Sequence, residues 1–189
     1  MTPLRATLDL WGLWAVSWGV AAIWSRRTVG RPRGIGGSAH YLPTLLGAAL
    51  LFAPPLAGFG HRLWRLPQPI AWALCAATIA SFAFAWWARL WLGSLWSGSI
   101  TRKEGHRVVE GGPFRLVRHP IYTGIIAASF LLATELGTPA AVAGAAVLTL
   151  GWWMKAREEE RFLIQELGPA YDDYRRRTPM LVPFLGRRR

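Results

Sequence analysis

The chain has 189 residues, of which 52% are hydrophobic, with 12 tryptophans and a formal charge of +12 at pH 7. A soluble domain does not normally combine that apolar content with so many tryptophans. The basic residues lie between long uncharged runs, which is typical of a membrane protein with basic cytoplasmic loops and not of a nucleic-acid-binding protein. The single cysteine, Cys75, excludes disulfides, zinc ribbons and iron–sulfur clusters, and no metal site is predicted.

Five apolar segments follow one another along the chain, most of them near the length that spans a bilayer. They cover residues 8–24, 43–59, 69–92, 120–136 and 139–153. Several begin with proline, which suits the first helical position because its missing N–H has no partner there anyway. We predict an all-α, polytopic membrane protein with about five transmembrane helices, which forms a single integral membrane domain over residues 1–189.

The last two segments are predicted to form a short helical hairpin, because only Gly137, Thr138 and Pro139 separate them. About 16 residues at ~1.5 Å each give roughly 24 Å, which is less than a ~30 Å hydrocarbon core. The tight turn brings the start of the fourth segment and the end of the fifth to the same membrane face. A cytoplasmic linker precedes this hairpin, and a C-terminal helix follows it.

The basic residues concentrate on one side of the predicted helices. They are Arg26, Arg27, Arg31 and Arg33 after the first segment, and Arg102, Lys103, Arg107, Arg115 and Arg118 after the third. The tail after the fifth segment is rich in arginine, whereas the other side has only Arg5, Arg62 and Arg65. The positive-inside rule therefore places the N-terminus outside and the linker and tail in the cytoplasm. The composition favours a bacterial inner membrane.

Polar residues concentrate at two places, residues 106–124 and 152–163. Because Pro120 disfavours helical geometry at the preceding residue, His119 is predicted at the entrance of a helix. The free backbone N–H groups of that first turn form an anion site, with His119 and Tyr122 at its rim. Across the hairpin would stand four charged residues, Lys155, Arg157, Glu159 and Glu160. Such a rim suits a small zwitterion, with its carboxylate at the helix start and its ammonium near a glutamate.

A simpler interpretation of the same residues stays open. Lys155 and Glu159 lie four positions apart and Arg157 and Glu160 three, which is the spacing of pairs on a helix surface. A charged helix end just outside a membrane is usually a solvated face. His119 alone would then only cap its helix.

Three stretches resemble the membrane methyltransferases typified by isoprenylcysteine carboxyl methyltransferase, to which phospholipid N-methyltransferases are related. They are GPFRLVRHPIYTG (112–124), EEERFLIQELGPAYDDY (158–174) and TPMLVP (178–183). The likeness covers roughly residues 89–183. It implies a methyltransferase core at 89–183, N-terminal transmembrane helices at 1–88 and a basic tail at 184–189.

The resemblance implies S-adenosylmethionine as the cofactor, bound on the cytoplasmic face and partly enclosed by the linker and tail. Carried over by position, the cofactor contacts would be His106, Val108, Gly112, His119, Tyr122 and Glu159. Arg157 and Lys155 would lie nearest the reacting group, and Glu159 or Glu160 would accept the proton of an amine acceptor. Two departures matter. First, the glutamates form a triplet, Glu158 to Glu160, so the one that contacts the cofactor is uncertain by one position. Second, Lys155 stands where the family leads us to expect arginine, and lysine cannot bind a carboxylate in a bidentate manner.

The implied reaction is methyl transfer to a lipophilic acceptor that enters from the bilayer between the helices. Membrane lipids contact the basic tail, and no nucleic acid is a partner. A carboxylate or thiolate acceptor needs no general base, which suits a chain without an obvious catalytic dyad. The alternatives are phospholipid N-methylation, S-methylation of a small thiol, and a non-catalytic membrane scaffold. A further alternative is an NADPH-dependent sterol-reductase-like enzyme. Such enzymes typically have Asn and Asp at the positions that Ile121 and Ile125 occupy here, which counts against this alternative.

Overall fold

The computed structural model describes residues 1–24, 28–30, 39–52, 61–96, 102–103 and 108–185. Within these residues the chain forms six α-helices: α1 Pro3–Ala21, α2 Tyr41–Phe52, α3 Gln68–Leu92, α4 Pro120–Leu136, α5 Pro139–Leu167 and α6 Pro169–Arg177. Short 3-10 turns occur at Ala22–Trp24, Gly93–Leu95 and Gly112–Arg115. A two-stranded antiparallel ribbon pairs β1 Thr28–Gly30 with β2 Arg102–Lys103. The predicted helical fold is confirmed, with this small ribbon as an addition.

The turn between α4 and α5 has the structure that its sequence predicts. Gly137 closes α4 in the left-handed conformation, with φ of 65°, which costs glycine little. Thr138 then caps α5, since its hydroxyl accepts a hydrogen bond of 3.2 Å from the N–H of Ala141. The two helices consequently leave the turn side by side.

Three predicted segments differ from the observed helices. The first was expected to begin at residue 8, but α1 begins at Pro3. The fifth was expected to end at residue 153, but α5 continues without a break to Leu167 and has 29 residues. No glycine or proline interrupts residues 152–167, and most of these residues are good helix formers. Gly168, with φ of 56°, ends the helix. The second arm of the hairpin is therefore long, and the charged residues 155–160 belong to the same helix as the apolar ones. Helix α2 begins at Tyr41, and its predicted end at 53–59 lies outside the described residues.

Helix α2 packs along α5 through glycines that let the two backbones approach closely. A Cβ atom added at Gly144 would lie 2.6 Å from the backbone nitrogen of Leu51. One added at Gly47 would overlap the backbone of Leu148, and one at Gly151 would overlap Thr44. Helix α3 packs on α4 in the same manner, with Gly124 against the carbonyl oxygen of Ser81. These contacts fix where the two ends of α5 lie relative to α2 and α4.

We expect Gly47→Ala to lower the free energy of unfolding by about 1–3 kcal/mol, because the new methyl group must displace the Leu148 backbone. Thermal unfolding of the purified protein in detergent measures this change. Gly12→Ala is the matched control, since Gly12 also lies inside a helix but has no atom within 4 Å of the added Cβ. Equal unfolding temperatures for the two variants would contradict the close α2–α5 contact.

Within the described residues, one continuous helical stretch, Gln68–Leu95, is long and apolar enough to cross a membrane. Helices α2 and α4 are apolar but shorter. Large apolar side chains are exposed on several helices, among them Leu13, Val16, Val20, Leu42, Leu45, Ile70, Ile79, Leu90 and Leu150. An aromatic cluster holds α1 against α3: the ring centroids of Trp11 and Trp14 lie 4.9 and 5.2 Å from that of Phe82.

Candidate functional site

His119 lies at the entrance of α4, as the following proline predicts. It precedes the first helical residue, Pro120, with φ of −123°, and only 7% of it is exposed. Its backbone N–H donates to the carbonyl oxygen of Met180 at 3.1 Å, and that of Arg118 donates to Pro179 at 2.8 Å. The N–H of His119 is therefore engaged by the backbone, whereas the anion site expected at the first turn of α4 stays a prediction. The C-terminal segment 179–181 covers this helix entrance.

The side chain of His119 lies between two carboxylates of α5. Its Nδ1 is 3.5 Å from Oε2 of Glu159, and its Nε2 is 3.3 Å from Oε1 of Glu160. The hydroxyl of Tyr122 donates to Oε1 of Glu159 at 2.5 Å, and the Tyr122 ring lies parallel to the imidazole. Both ring nitrogens can donate only when the imidazole is protonated, so this geometry favours the imidazolium ion. We call His119, Tyr122, Glu159 and Glu160 the acidic cluster.

The charges in the acidic cluster stabilise one another. Burial by itself would lower the pKa of His119, but hydrogen bonds and charge from Glu159 and Glu160 outweigh it and raise the pKa. Burial would likewise raise the pKa of both glutamates. His119 and Lys155 nevertheless hold the pKa of Glu159 below its usual value, and His119 and Arg118 do so for Glu160. These shifts favour an imidazolium together with two carboxylates in the cluster.

Lys155 and Trp152 extend the site along α5. The ring centroids of Tyr122 and Trp152 are 4.8 Å apart in a stacked arrangement. The ammonium nitrogen of Lys155 lies 5.4 Å from the first centroid and 5.3 Å from the second, and Lys155 is 9% exposed. The result is an aromatic wall with a buried cation beside it and a carboxylate, Glu159, at its other end.

Arg118 ties the acidic cluster to the C-terminal helix, which the sequence analysis did not predict. Its Nε lies 2.6 Å from Oε1 of Glu160, and the side chains of the pair are 9% and 8% exposed. The same guanidinium donates to the carbonyl oxygens of Arg175, at 2.9 Å, and Thr178. One arginine thus satisfies a buried carboxylate and the end of α6 together. The position of Arg118 next to His119 in the sequence was a signal that it lies near the site. Nothing in the sequence indicated which groups it would contact.

The predicted site residues fall into three groups. His119, Tyr122, Lys155, Glu159 and Glu160 come together across the hairpin, and their roles remain predictions. Three others lie elsewhere: Arg157 is exposed with its guanidinium over the Trp153 ring, Gly112 lies beneath the ring of Trp91, and Val108 packs against the core. The expected place of Arg157 opposite His119 is therefore wrong, because the α5 helix turns it outward. His106 lies outside the described residues.

A second histidine–carboxylate pair, which the sequence analysis missed, joins α5 to the turn before α2. Nδ1 of His40 lies 2.8 Å from Oε2 of Glu158, and the two residues are 4% and 9% exposed. The two residues are 118 positions apart in sequence, and only the packing of α2 on α5 brings them together.

A family model matches the part of the chain that contains the acidic cluster, and several known proteins are similar to this chain. The model of the isoprenylcysteine carboxyl methyltransferase (ICMT) family matches residues 72–165, which include α3, α4 and most of α5. Methanethiol S-methyltransferase 2 of Bradyrhizobium diazoefficiens is 46% identical over 80 residues, covering 40% of this chain and 29% of the relative. Protein-S-isoprenylcysteine O-methyltransferase B of Arabidopsis thaliana is 34% identical over 87 residues, covering 46% and 44%.

A third relative, Methanethiol S-methyltransferase of Crocosphaera subtropica, is 35% identical over 75 residues, covering 40% of this chain and 29% of its own length. The chain thus spans less than half of the length of each of these relatives. Over residues 72–165 the chain is similar to the isoprenylcysteine carboxyl methyltransferase family.

Proposed function

We propose that the protein is an S-adenosylmethionine-dependent methyltransferase that works at a membrane and binds its cofactor at the acidic cluster. The observation that carries the proposal is the contact of His119 and Tyr122 with Glu159 across the hairpin. These residues all lie inside the region that matches the methyltransferase family. The predicted assembly of an imidazole-bearing helix entrance with an acidic stretch of α5 is thus seen in the molecule.

The groups of the site fit the cofactor, which carries an ammonium, a carboxylate and a sulfonium. Glu159 offers a carboxylate to the ammonium and is the most accessible member of the cluster, with 20% of its side chain exposed. Lys155 offers a buried cation to the carboxylate. The stacked Tyr122 and Trp152 rings offer an electron-rich face to a cation. His106, Val108 and Gly112 would complete the contacts from the linker, as the family resemblance implies.

When bound, the cofactor supplies an electrophilic methyl group. The protein's own contribution is to hold its partners in line and to exclude water. His119 and Arg118 keep Glu159 and Glu160 ionised in a buried site. Segment 179–181, hydrogen-bonded to the entrance of α4, closes the site from the side of the C-terminal helix.

A membrane setting with about five spans is part of the proposal. The apolar side chains exposed on α1, α2, α3 and α5 support it, since a protein in water does not normally expose so many. The positive-inside rule then orients the N-terminus outward and the acidic cluster toward the cytoplasm of a bacterial inner membrane. An apolar acceptor would enter between helices from the bilayer, and lipid headgroups would contact the arginine-rich tail.

Among apolar acceptors a thiol has particular support. Two of the relatives described above are named methanethiol S-methyltransferases. An isoprenylcysteine carboxylate, which the name of the third relative suggests, is the second candidate. A phospholipid amine is a third, since its proton could pass to Glu160.

Transfer of a labelled methyl group tests the proposal. Membranes containing the protein are incubated with methyl-labelled S-adenosylmethionine and, in parallel, with a small alkanethiol, a prenylated cysteine or added phospholipid. Organic extraction and headspace sampling then show which fraction takes the label. We expect transfer to at least one acceptor above the level of membranes without the protein. Absence of transfer, together with absence of S-adenosylmethionine binding by calorimetry, would favour the scaffold alternative and overturn the proposal.

A further inference from the structure

The His40–Glu158 pair has a fixed geometry. His40 occupies the turn before α2, where its carbonyl oxygen accepts hydrogen bonds from the hydroxyl and the N–H of Thr44, at 2.7 and 3.1 Å. Its ring packs 4.3 Å from that of Tyr41 and binds Glu158 through Nδ1 at 2.8 Å. Backbone and side chain are thus both held, and the ring cannot turn without breaking a buried contact.

The second ring nitrogen of His40 has no partner among the described residues. Because a carboxylate accepts hydrogen bonds, the contact with Glu158 places the proton of a neutral imidazole on Nδ1. Nε2 then carries a lone pair, yet it is buried without a hydrogen-bond partner in the described part of the chain. Because most buried polar atoms have a partner, this lone pair is a candidate acceptor for a group that the protein binds.

The pair also lies beside the acidic cluster. Glu158 is adjacent in sequence to Glu159, and Lys155 precedes them by three and four positions. Residues at these spacings are neighbours on a helix surface, with about 5–6 Å between Cβ atoms. Lys155 therefore lies between the His40–Glu158 pair and the acidic cluster. Adjacent residues of α5 contribute carboxylates to both groups.

We propose that His40 is the general base that removes the proton of a thiol acceptor, and that Glu158 holds its ring in the required tautomer. The inference rests on the proposed methyltransferase function and names one acceptor class for it. An acceptor that is already ionised, such as a carboxylate, has no proton to give, so an oriented base has a use only for a protonated nucleophile.

Methyl transfer to a thiol involves two bonds that break and two that form. The S–H bond breaks, its proton moves to Nε2, and its electron pair stays on sulfur. The thiolate sulfur then forms a bond to the methyl carbon of the sulfonium donor, whose carbon–sulfur bond breaks with the electrons going to the departing thioether. The Glu158 carboxylate stabilises the His40 imidazolium until the proton leaves to water. The net products are a methyl thioether, the demethylated donor and one proton.

The His40→Asn variant tests the roles of the two ring nitrogens separately. The asparagine amide nitrogen occupies the place of Nδ1 and keeps the hydrogen bond to Glu158, whereas no atom replaces Nε2. With an alkanethiol, which is protonated at neutral pH, we expect methyl transfer to fall by about 100-fold or more, the usual worth of a general base. With a nitro-substituted aromatic thiol, which is already ionised, the same variant should lose less than about tenfold.

Controls separate this role from a structural one. His61→Asn, at an exposed histidine, should match wild-type protein with both thiols. Should His40→Asn fold poorly, Glu158→Gln is the second variant, because its amide oxygen still accepts from Nδ1 but supplies no charge to the imidazolium. It should likewise lose more activity with the alkanethiol than with the aromatic thiol. An equal loss with both thiols, in either variant, would overturn the proposal.

A measurement on the free protein is independent of turnover. Nitrogen-15 NMR of the histidine rings, with the His40 signals assigned by their absence in His40→Asn, should show a proton on Nδ1 and a bare Nε2. A proton on Nε2 would overturn the proposal even if the enzyme is active. If wild-type protein methylates carboxylates or amines but neither thiol, the base assignment fails while the methyltransferase proposal stands. If it methylates nothing and does not bind S-adenosylmethionine, both fail.

Discussion

A Glu159→Gln variant is expected to bind S-adenosylmethionine about 30-fold to several thousand-fold more weakly than the wild-type protein. The glutamine keeps the shape of the side chain but removes a negative charge that contacts Tyr122 and His119. It also leaves the ammonium of the cofactor without its counter-charge. Removing one partner of a buried charge pair costs about 2–5 kcal/mol, and each ~1.4 kcal/mol is tenfold in affinity. Calorimetry of the detergent-solubilised protein measures the difference directly.

Glu110→Gln is the matched control for this experiment. Glu110 pairs with Arg177 at 3.2 Å, but the side chains of that pair are 41% and 62% exposed. The loss of such a surface pair should leave cofactor affinity within about threefold, since exposed pairs contribute roughly 0–1 kcal/mol. If Glu159→Gln retained wild-type affinity, the assignment of the acidic cluster to the cofactor would be wrong. Circular dichroism confirms that both variants keep their helices.

An Arg118→Met variant is expected to lose about 3–5 kcal/mol of folding free energy. Among the described residues the substitution leaves buried Glu160 with the His119 contact alone, and a buried charge that loses a partner is costly. It also removes the donor to the carbonyl oxygens of Arg175 and Thr178. For a chain of this size the loss corresponds to a fall in unfolding temperature of roughly 6–20 °C. Thermal unfolding in detergent measures it.

The control for Arg118→Met is Arg175→Met. Arg175 pairs with Asp172 at 3.0 Å, and the side chains of that pair are 45% and 37% exposed. Its removal should cost no more than about 1 kcal/mol. Limited proteolysis adds a local measurement, because residues 178–181 should become cleavable in Arg118→Met before the rest of the protein unfolds. Equal stability of the two variants would show that Arg118 does not hold the C-terminal segment in place.

The helical hairpin was predictable because its signals are local. Proline after His119, glycine at 137 and threonine at 138 each act within one turn of the chain, and the bounds of α4 match the predicted segment. From those bounds alone, the meeting of His119 with Glu159 follows by geometry. The length of α5 was misjudged because hydropathy was used to end it. Charged residues end an apolar run, but they do not end a helix.

The long-range polar contacts were not predictable for a physical reason. Which side of α5 meets α2 is decided by the close approach at Gly47, Gly144 and Gly151. Only that approach turns Glu158 toward His40 and Arg157 toward solvent. Single glycines in apolar helices carry too weak a signal to fix such a face from one sequence. Two of the partners of Arg118 are likewise carbonyl oxygens of the backbone, and any residue type supplies these.

The hydrogen bonds from residues 118 and 119 to the carbonyl oxygens of Pro179 and Met180, together with that from Thr123 to Leu181, set an order of assembly. The entrance of α4 is synthesised some 60 residues before the C-terminal segment 179–181 that covers it. During translation His119 and its neighbours therefore remain uncovered until the C-terminal segment has been synthesised and packs against them. The ability to bind a ligand should arise only at that final docking, well after the hairpin itself has formed.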